Sequence, residues 1–199
     1  MNLLQKVTAI LLPRGREVLA EIHQKIITDE AVVKAKLYPS LEDLRLFYEL
    51  ARLGLVYAKQ TYGPTTIPEW MFFQSAVRMP DGAINSDLIC YLSSAALGID
   101  EIIITRFHFA AHAAQFNSDV CFKDSHLPPQ QLVRAEHHLL LQIIEECYHR
   151  FQVHKGMRPA ATQQGIPMTD QNDPLEIEIR QVMAKAIEDL CLPTFELAS

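Results

Sequence analysis

The sequence is poor in glycine and has no long apolar run. Only seven of its 199 residues are glycine, and it has no internal repeat or low-complexity tract. No window approaches the roughly 18 consecutive apolar residues that a membrane-spanning helix needs. The apolar stretch from Val7 to Leu12 is too short for the core of a secretory signal, and basic residues follow it. We therefore expect a cytoplasmic protein with no membrane partner.

Excess basic charge is also lacking. The 18 Lys and Arg residues are outnumbered by 24 Asp and Glu residues, which gives a net charge of -6. A nucleic-acid-binding domain usually carries a basic stripe, so we expect no nucleic-acid partner.

The four cysteines stand far apart and form no CxxC pair. This spacing argues against a zinc knuckle and against a thioredoxin-type redox pair. Cys90, Cys147 and Cys191 lie among apolar residues, and we interpret them as small buried hydrophobic side chains.

Familiar catalytic motifs are missing as well. The chain contains no GxGxxG, no P-loop and no GxSxG. Because no complete catalytic constellation appears, the catalytic residues, if there are any, are unknown from the sequence. The composition, 49% hydrophobic and 21% charged, is that of a globular chain.

Apolar residues at helical spacing dominate what is present, and no convincing strand alternation is found. The pattern predicts an all-α fold, a single-domain bundle of seven to eight helices. These helices are predicted to end near Pro13, Ile27, Leu37, Tyr62, Leu97, Phe116, Lys155 and Leu190. One of them is predicted to begin at a capping box formed by Ser40 and Asp43.

The sequence also predicts how the chain is divided. Residues 1–155 form the main helical domain, and residues 156–173, with Gly, Pro, Thr, Gln and Asn, are interpreted as a linker. Residues 174–192 form a C-terminal helix, started by an Asp173-Pro174 cap. We expect this helix to pack on the same domain or on a partner.

The strongest chemical signal lies in the segment EIIITRFHFAAHAAQ, interpreted as a helix from Asp100 to about Phe116. His108 and His112 stand at i and i+4, the spacing that lets two imidazoles bind one metal ion. They belong to a polar stripe with Glu101, Thr105 and Gln115, which could instead face a strip of solvent. The pair alone lacks a third ligand.

Two residues are candidates for the third ligand of an iron, zinc or manganese ion. Glu136 falls in the apolar arc of the longest helix, where a carboxylate is costly unless it is paired or bound to a cation. A structural ion pair with Arg106 is the alternative for Glu136. The eight residues from His108 to Gln115 are similar to part of the DinB-like four-helix family. That family adds an upstream helical histidine to an HxxxH pair, and the resemblance would give this place to His23.

Glu146 and His149 form an ExxH sequence, which is the ligand spacing of ferritin-like di-iron bundles. A second ExxH is missing, and His149 lies on the polar arc of its helix with His138 and Glu145. We therefore interpret Glu145–His149 and Glu146–Arg150 as exposed i,i+4 pairs.

Trp70, Met71, Phe72 and Phe73 follow one another directly. Four large apolar groups in a row cannot all face one side of a short helix. Some are predicted to line a ligand cavity or a partner surface, unless they cap the core.

Two functions remain open. The favoured one is a non-enzymatic protein that acts through protein–protein interaction in a regulatory or assembly role, with a protein partner or a second copy. The alternative is a small metal-dependent helical-bundle enzyme, or a metal- or cofactor-binding sensor, that uses His108 and His112.

Overall fold

A computed structural model describes residues 16–68, 70–79, 81–94, 98–124, 126–127, 130–157 and 173–196. These residues contain six α-helices and eight strands arranged in three sheets. The predicted all-α helical bundle is therefore wrong, because the fold is mixed α/β. The first predicted helix, before Pro13, and most of the predicted linker at 156–173 lie outside the described residues.

The helices are α1 (Arg16–Ile27), α2 (Glu30–Lys34), α3 (Leu41–Tyr62), α4 (Arg106–Ala113), α5 (Ala135–His154) and α6 (Pro174–Asp189). The predicted capping box opens α3: the Asp43 N–H donates to Ser40 Oγ over 3.1 Å, and the Ser40 N–H donates to Asp43 Oδ2 over 2.6 Å. None of these described helices has the length and apolar character needed to cross a membrane.

The strands are β1 (Trp70–Gln74), β2 (Val77–Arg78), β3 (Ile84–Asn85), β4 (Ile89–Ser94), β5 (Ile99–Thr105), β6 (Cys121–Phe122), β7 (Gln131–Arg134) and β8 (Thr194–Glu196). In the main sheet β5 is central, parallel to β1 and antiparallel to β4. A second sheet pairs β2 with β3, and a third has the antiparallel order β6-β7-β8.

The strands β4 and β5 occupy segments predicted as helices, 87–97 and the first half of 100–116. Ile102 and Ile104 pack into the main core, whereas Ile103 packs on the opposite face with Cys90 and Leu92. Because both faces of β5 are buried, its apolar run shows no alternation and resembles a helical segment. The three consecutive β-branched side chains, Ile102 to Ile104, favour a strand, because they lose rotamer freedom in a helix and pack well on a sheet.

The transition from β5 to α4 occurs at Thr105. Its N–H and its Oγ1 both donate to the Leu88 carbonyl, over 3.0 and 3.1 Å, and Oγ1 accepts from the Leu88 N–H over 3.1 Å. These bonds hold Asp87 beside the first turn of α4. The predicted polar stripe from Glu101 to Gln115 on a single helix is therefore wrong, because its first part is strand.

The long helices α3 and α5 pack directly on each other and position the site described below. A Cβ atom at Gly54 of α3 would lie 3.2 Å from both Leu140 Cδ1 and Ile143 Cγ2 of α5. Glycine thus allows a close approach of the two helices. On another side of α5, Ile179 and Met183 of α6 belong to a buried apolar cluster with residues of α5.

The four cysteines are all free thiols. Cys90 and Cys147 are buried, as predicted, and burial raises the pKa of each thiol. Cys191 is exposed, so its predicted burial is wrong.

We predict that Gly54→Leu lowers the free energy of unfolding by about 2 kcal/mol or more, because α3 and α5 would have to separate. Denaturant titration of wild type and variant measures the change. Arg52→Leu is the control, since the Arg52 side chain is 54% exposed on the same helix. We expect it to change the unfolding free energy by no more than about 0.5 kcal/mol. Equal effects of the two variants would contradict the close contact.

Candidate metal centre

The site is built on one face of α5. His138, Gln142, Glu145 and His149 follow at intervals of four, three and four residues, which places them on one stripe of a helix. The sequence assigned this stripe to solvent. The structure instead buries it, leaving His138 6% and Glu145 8% exposed. Glu145 and His149 do form the predicted pair, with Oε1 and Nε2 3.5 Å apart. Its predicted exposure is wrong, because other elements contribute polar groups that cover the stripe.

Glu146 and Arg150 also differ from the predicted exposed pair. Both are buried, and each has another partner. Glu146 Oε2 accepts from the Tyr91 N–H in β4 over 2.6 Å. The Arg150 Nε donates to Asp100 Oδ1 over 2.8 Å. The two side chains thus connect α5 to the β4–β5 hairpin.

A chain of hydrogen bonds leads from α4 into the stripe. His112 Nδ1 lies 2.9 Å from the His108 carbonyl, and its Nε2 lies 2.7 Å from His138 Nδ1. His138 Nε2 lies 2.8 Å from Asp124 Oδ2. Phe122 of β6 stacks on both imidazoles, with its ring centroid 4.6 Å from that of His112 and 5.3 Å from that of His138. The Phe122 ring therefore covers this series of hydrogen bonds.

The ends of this chain determine its proton content. A carbonyl oxygen at one end and a carboxylate at the other both accept, so each end needs an N–H. The bond between the two rings is then made by a hydrogen on His138 Nδ1, with His112 Nε2 as the acceptor. His112 thus carries a hydrogen on Nδ1 alone and is neutral.

The pKa of His112 agrees with that assignment. Burial, together with the charges of His108 and His138, lowers the pKa of His112 from 6.5 to about 3, although the bond to the His108 carbonyl opposes the shift.

His126 lies among three carboxylates. Its Nδ1 is 3.3 Å from Asp124 Oδ1 and 3.3 Å from Glu145 Oε1. Its Nε2 is 3.0 Å from Oε2 of Glu176, which belongs to the first turn of α6. The segment after β6, the middle of α5 and the start of α6 therefore meet at one imidazole.

The carboxylates dominate the electrostatics of this cluster. Burial alone would lower the pKa of His126, but hydrogen bonds to Asp124, Glu145 and Glu176 raise it to about 12. Burial would raise the pKa of Asp124, but His126 and His138 outweigh it and hold that pKa far below the usual value. The pKa of Glu145 is likewise lowered by His126 and His149 against the effect of burial.

Glu145 is shared by two histidines. The oxygen Oε1 that lies 3.3 Å from His126 Nδ1 also lies 3.5 Å from His149 Nε2. Two groups of three residues consequently have ligand atoms that all lie within 4.8 Å of one another, namely Asp124, His126 and Glu145, and then Glu145, Glu146 and His149. Glu145 belongs to both groups.

The structure brings His108 and His112 together, with ring centroids 4.4 Å apart. Both nitrogens of His108 are engaged, Nδ1 with Asp87 Oδ1 at 2.7 Å and Nε2 with Gln142 Oε1 at 2.9 Å. The bond to His108, which outweighs burial, lowers the pKa of Asp87. Binding of a metal ion by the two histidines stays a prediction.

The other predicted ligands are not brought to this pair. His23 Nε2 contacts the Pro39 carbonyl at 2.8 Å. Glu136 Oε2 is buried and has no hydrogen-bond partner among the described residues. Arg106 does not compensate it, because its Nη1 donates to Ser75 Oγ over 2.9 Å and contacts Asp29 Oδ2 at 3.3 Å. The alternative ion pair between Arg106 and Glu136 is therefore wrong.

The aromatic segment Trp70–Phe73 forms β1, not helical turns. A strand directs alternate side chains to opposite faces, so Met71 and Phe73 pack against the core while Phe72 is 43% exposed. Phe73 lies 5.4 Å from the ring centroids of both Phe47 and Phe109. The use of Trp70–Phe73 as a ligand or partner surface stays a prediction.

Sequence reasoning named Glu145 and His149, the latter also in an ExxH sequence, but interpreted both as exposed. It missed Asp124 and His126, whose signal was the short spacing Asp124-x-His126 in a polar segment. Glu176 gave no signal, since nothing local in the sequence indicates that the start of α6 reaches His126.

Comparison with known proteins gives no relative from which a role could be inferred. No known protein family, curated protein or solved structure matches the chain.

The pKa of His112 predicts a pH effect on stability. Between pH 6.5 and about 3 the unfolded chain binds a proton at His112 that the folded protein does not. Acidification in this window therefore destabilises the fold through His112, by up to about 1.4 kcal/mol per pH unit. We expect His112→Gln to remove this slope when unfolding free energies are measured between pH 4.5 and 6.5 with a chelator present.

Phe122→Leu serves as the control for this experiment. It removes the ring that stacks on His112 without adding or removing a titrating group. It should lower the unfolding free energy equally across the pH range. Identical pH slopes of wild type and His112→Gln would contradict the neutral state of His112.

Proposed function

We propose that this is a metal-binding protein whose ion is a divalent transition metal such as zinc, iron or manganese, held by Asp124, His126 and Glu145. The proposal supports the metal-dependent alternative of the sequence analysis, with a different set of ligands. The observation that carries it is the spacing of the donor atoms around His126 Nδ1, at 3.3 Å from Asp124 Oδ1 and 3.3 Å from Glu145 Oε1.

This spacing suits a metal ion better than a proton. Two donors that each lie about 2.0–2.1 Å from a tetrahedral ion are about 3.3 Å apart. Hydrogen bonds between a charged N–H and a carboxylate are shorter, at about 2.7–2.9 Å. The bond between His138 and Asp124 has that shorter length, 2.8 Å. The cluster thus contains two kinds of contact, and those at His126 Nδ1 have ligand spacing.

The shorter contacts form an outer layer that orients the proposed ligands. Glu176 Oε2 accepts from His126 Nε2 over 3.0 Å, which leaves Nδ1 directed at the other two carboxylates. His138 donates to Asp124 Oδ2, so that Oδ1 is the oxygen that faces His126. Metal-ligating histidines and carboxylates in proteins are generally held by such partners.

The donor set is that of a catalytic site. Structural zinc sites are rich in cysteine and closed, whereas catalytic sites use histidine and carboxylate and keep a position for water or substrate. The proposed ligands include no cysteine, and the side chains of His126 and Glu145 remain 16% and 11% exposed. Three protein ligands with this access fit a metal-dependent enzyme.

The test is a titration of chelator-treated protein with Zn²⁺ and Mn²⁺, followed by calorimetry and elemental analysis. We expect wild type to bind at least one ion per chain. His126→Gln should abolish tight binding, and Glu176→Gln should weaken it by about 10–100-fold, because the orienting partner is lost. Binding must also displace the proton on His126 Nδ1, so the affinity should rise with pH.

Two matched variants complete this test. His23→Gln removes a histidine that is bonded to the Pro39 carbonyl outside the cluster, and it should bind as wild type does. His108→Gln should retain the ion as well. Loss of the ion in His108→Gln but not in His126→Gln would assign it to the His108/His112 pair instead. The absence of binding by folded wild type would contradict the proposal.

A separate experiment tests whether the metal site has the open ligand position of a metal-dependent enzyme. In protein loaded with Co²⁺, azide should change the visible absorption spectrum by occupying the open ligand position. An unchanged spectrum would indicate a closed site. That the protein is cytoplasmic, has no nucleic-acid partner or acts through a protein partner stays a prediction.

A further inference from the structure

We infer that the site holds two metal ions, with Glu145 as the bridging ligand and with Glu146 and His149 binding the second ion. The inference rests on the proposed function, since the first ion uses the same carboxylate. Its basis is that Glu145, Glu146 and His149 have ligand atoms within 4.8 Å of one another, next to the group at His126.

The position of Glu145 Oε1 indicates the bridge. It lies 3.3 Å from His126 Nδ1 on one side and 3.5 Å from His149 Nε2 on the other. Both distances match the separation of about 3.3 Å expected for two donors on one tetrahedral ion. In two-metal sites the ions lie about 3.5–4 Å apart and act together on one substrate. A carboxylate between two imidazoles is therefore placed to contact both ions.

Gln152 orients the His149 ring. The Gln152 Nε2 donates to the Leu175 carbonyl and to Glu178 Oε2, each over 3.2 Å, so its Oε1 must be the acceptor. Oε1 lies 3.4 Å from His149 Nδ1, which therefore carries a hydrogen. Nε2, the atom that faces Glu145, is then the nitrogen of His149 that would bind a metal ion in place of a proton.

This arrangement can hold a metal ion. His149 Nε2 and Glu145 Oε1 lie 3.5 Å apart, close to the spacing of two donors on one ion. A proton on Nε2 makes the contact an ion pair without metal, and a bound ion would take the place of that proton. A metal ion satisfies both donors, and the amide of Gln152 supplies the orienting bond that metal-bound histidines generally have.

The main sheet also fixes the position of Glu146, the third proposed ligand of the second ion. Its Oε2 accepts from the Tyr91 N–H over 2.6 Å, and the side chain is buried. This bond keeps the carboxylate on the β4 side of α5. One ligand atom of Glu146 thereby lies within 4.8 Å of ligand atoms of Glu145 and of His149, about one turn further along the helix.

The experiment is a titration of the chelator-treated protein with Mn²⁺, in which electron paramagnetic resonance counts the free ion and detects coupling between bound ions. We expect wild type to bind two Mn²⁺ per chain with a spin-coupled signal. Glu146→Gln and His149→Gln should each bind one ion and give an uncoupled signal. Circular dichroism verifies that each variant is folded.

His154→Gln is the control, since His154 lies on the same helix and is 38% exposed. It should still bind two coupled ions. One ion in wild type would overturn the second position and leave the proposed function intact, whereas no bound ion would overturn both. Two coupled ions in a folded Glu146→Gln or His149→Gln would also overturn the inference.

Discussion

The burial of the Glu145 carboxylate in the middle of α5 is the constraint on which this site depends. A buried carboxylate without compensation costs several kcal/mol. Positive charge must therefore be brought to it, and His126 and His149 lie at 3.3 and 3.5 Å from the same oxygen. In the absence of metal, protons on the histidines supply that charge. Metal ions in place of these protons would supply more positive charge to the Glu145 carboxylate.

The rest of the fold delivers partners to this carboxylate. The β5–α4 junction at Thr105 directs His112 to His138, and His138 in turn orients Asp124. The third sheet places Phe122 over the imidazoles. Helix α6 reaches His126 through Glu176 and fixes Gln152 through its backbone and Glu178. Elements distant in sequence thus share one polar interior.

Part of this arrangement could be read from the sequence. The start of α3 at the Ser40–Asp43 capping box and its end near Tyr62 are predicted correctly, since these signals act locally. The polar arc of α5 was also recognised, because helical periodicity determines which residues share a face. Whether an arc faces solvent or a buried cluster depends on what packs over it. The segment that covers it, with Asp124 and His126, has no periodicity to place it.

The strands were missed for a related reason. A segment buried on both faces has no alternation, so residues 100–104 are joined to the true helix α4 and interpreted as one element. The isoleucine run was the available signal. The error placed Glu101 on a helix with His108. The proposed ligands Asp124, His126 and Glu145 are brought together by tertiary contacts, which local spacing in the sequence does not indicate.

The most direct test is to locate the ion. Crystals grown with Zn²⁺ or Mn²⁺ would be measured at the absorption edge of the metal, so that anomalous scattering marks its position. The account predicts a peak within about 2.0–2.3 Å of His126 Nδ1 and of the oxygens of Asp124 and Glu145. A peak between His108 and His112, or no peak in this cluster, would contradict it.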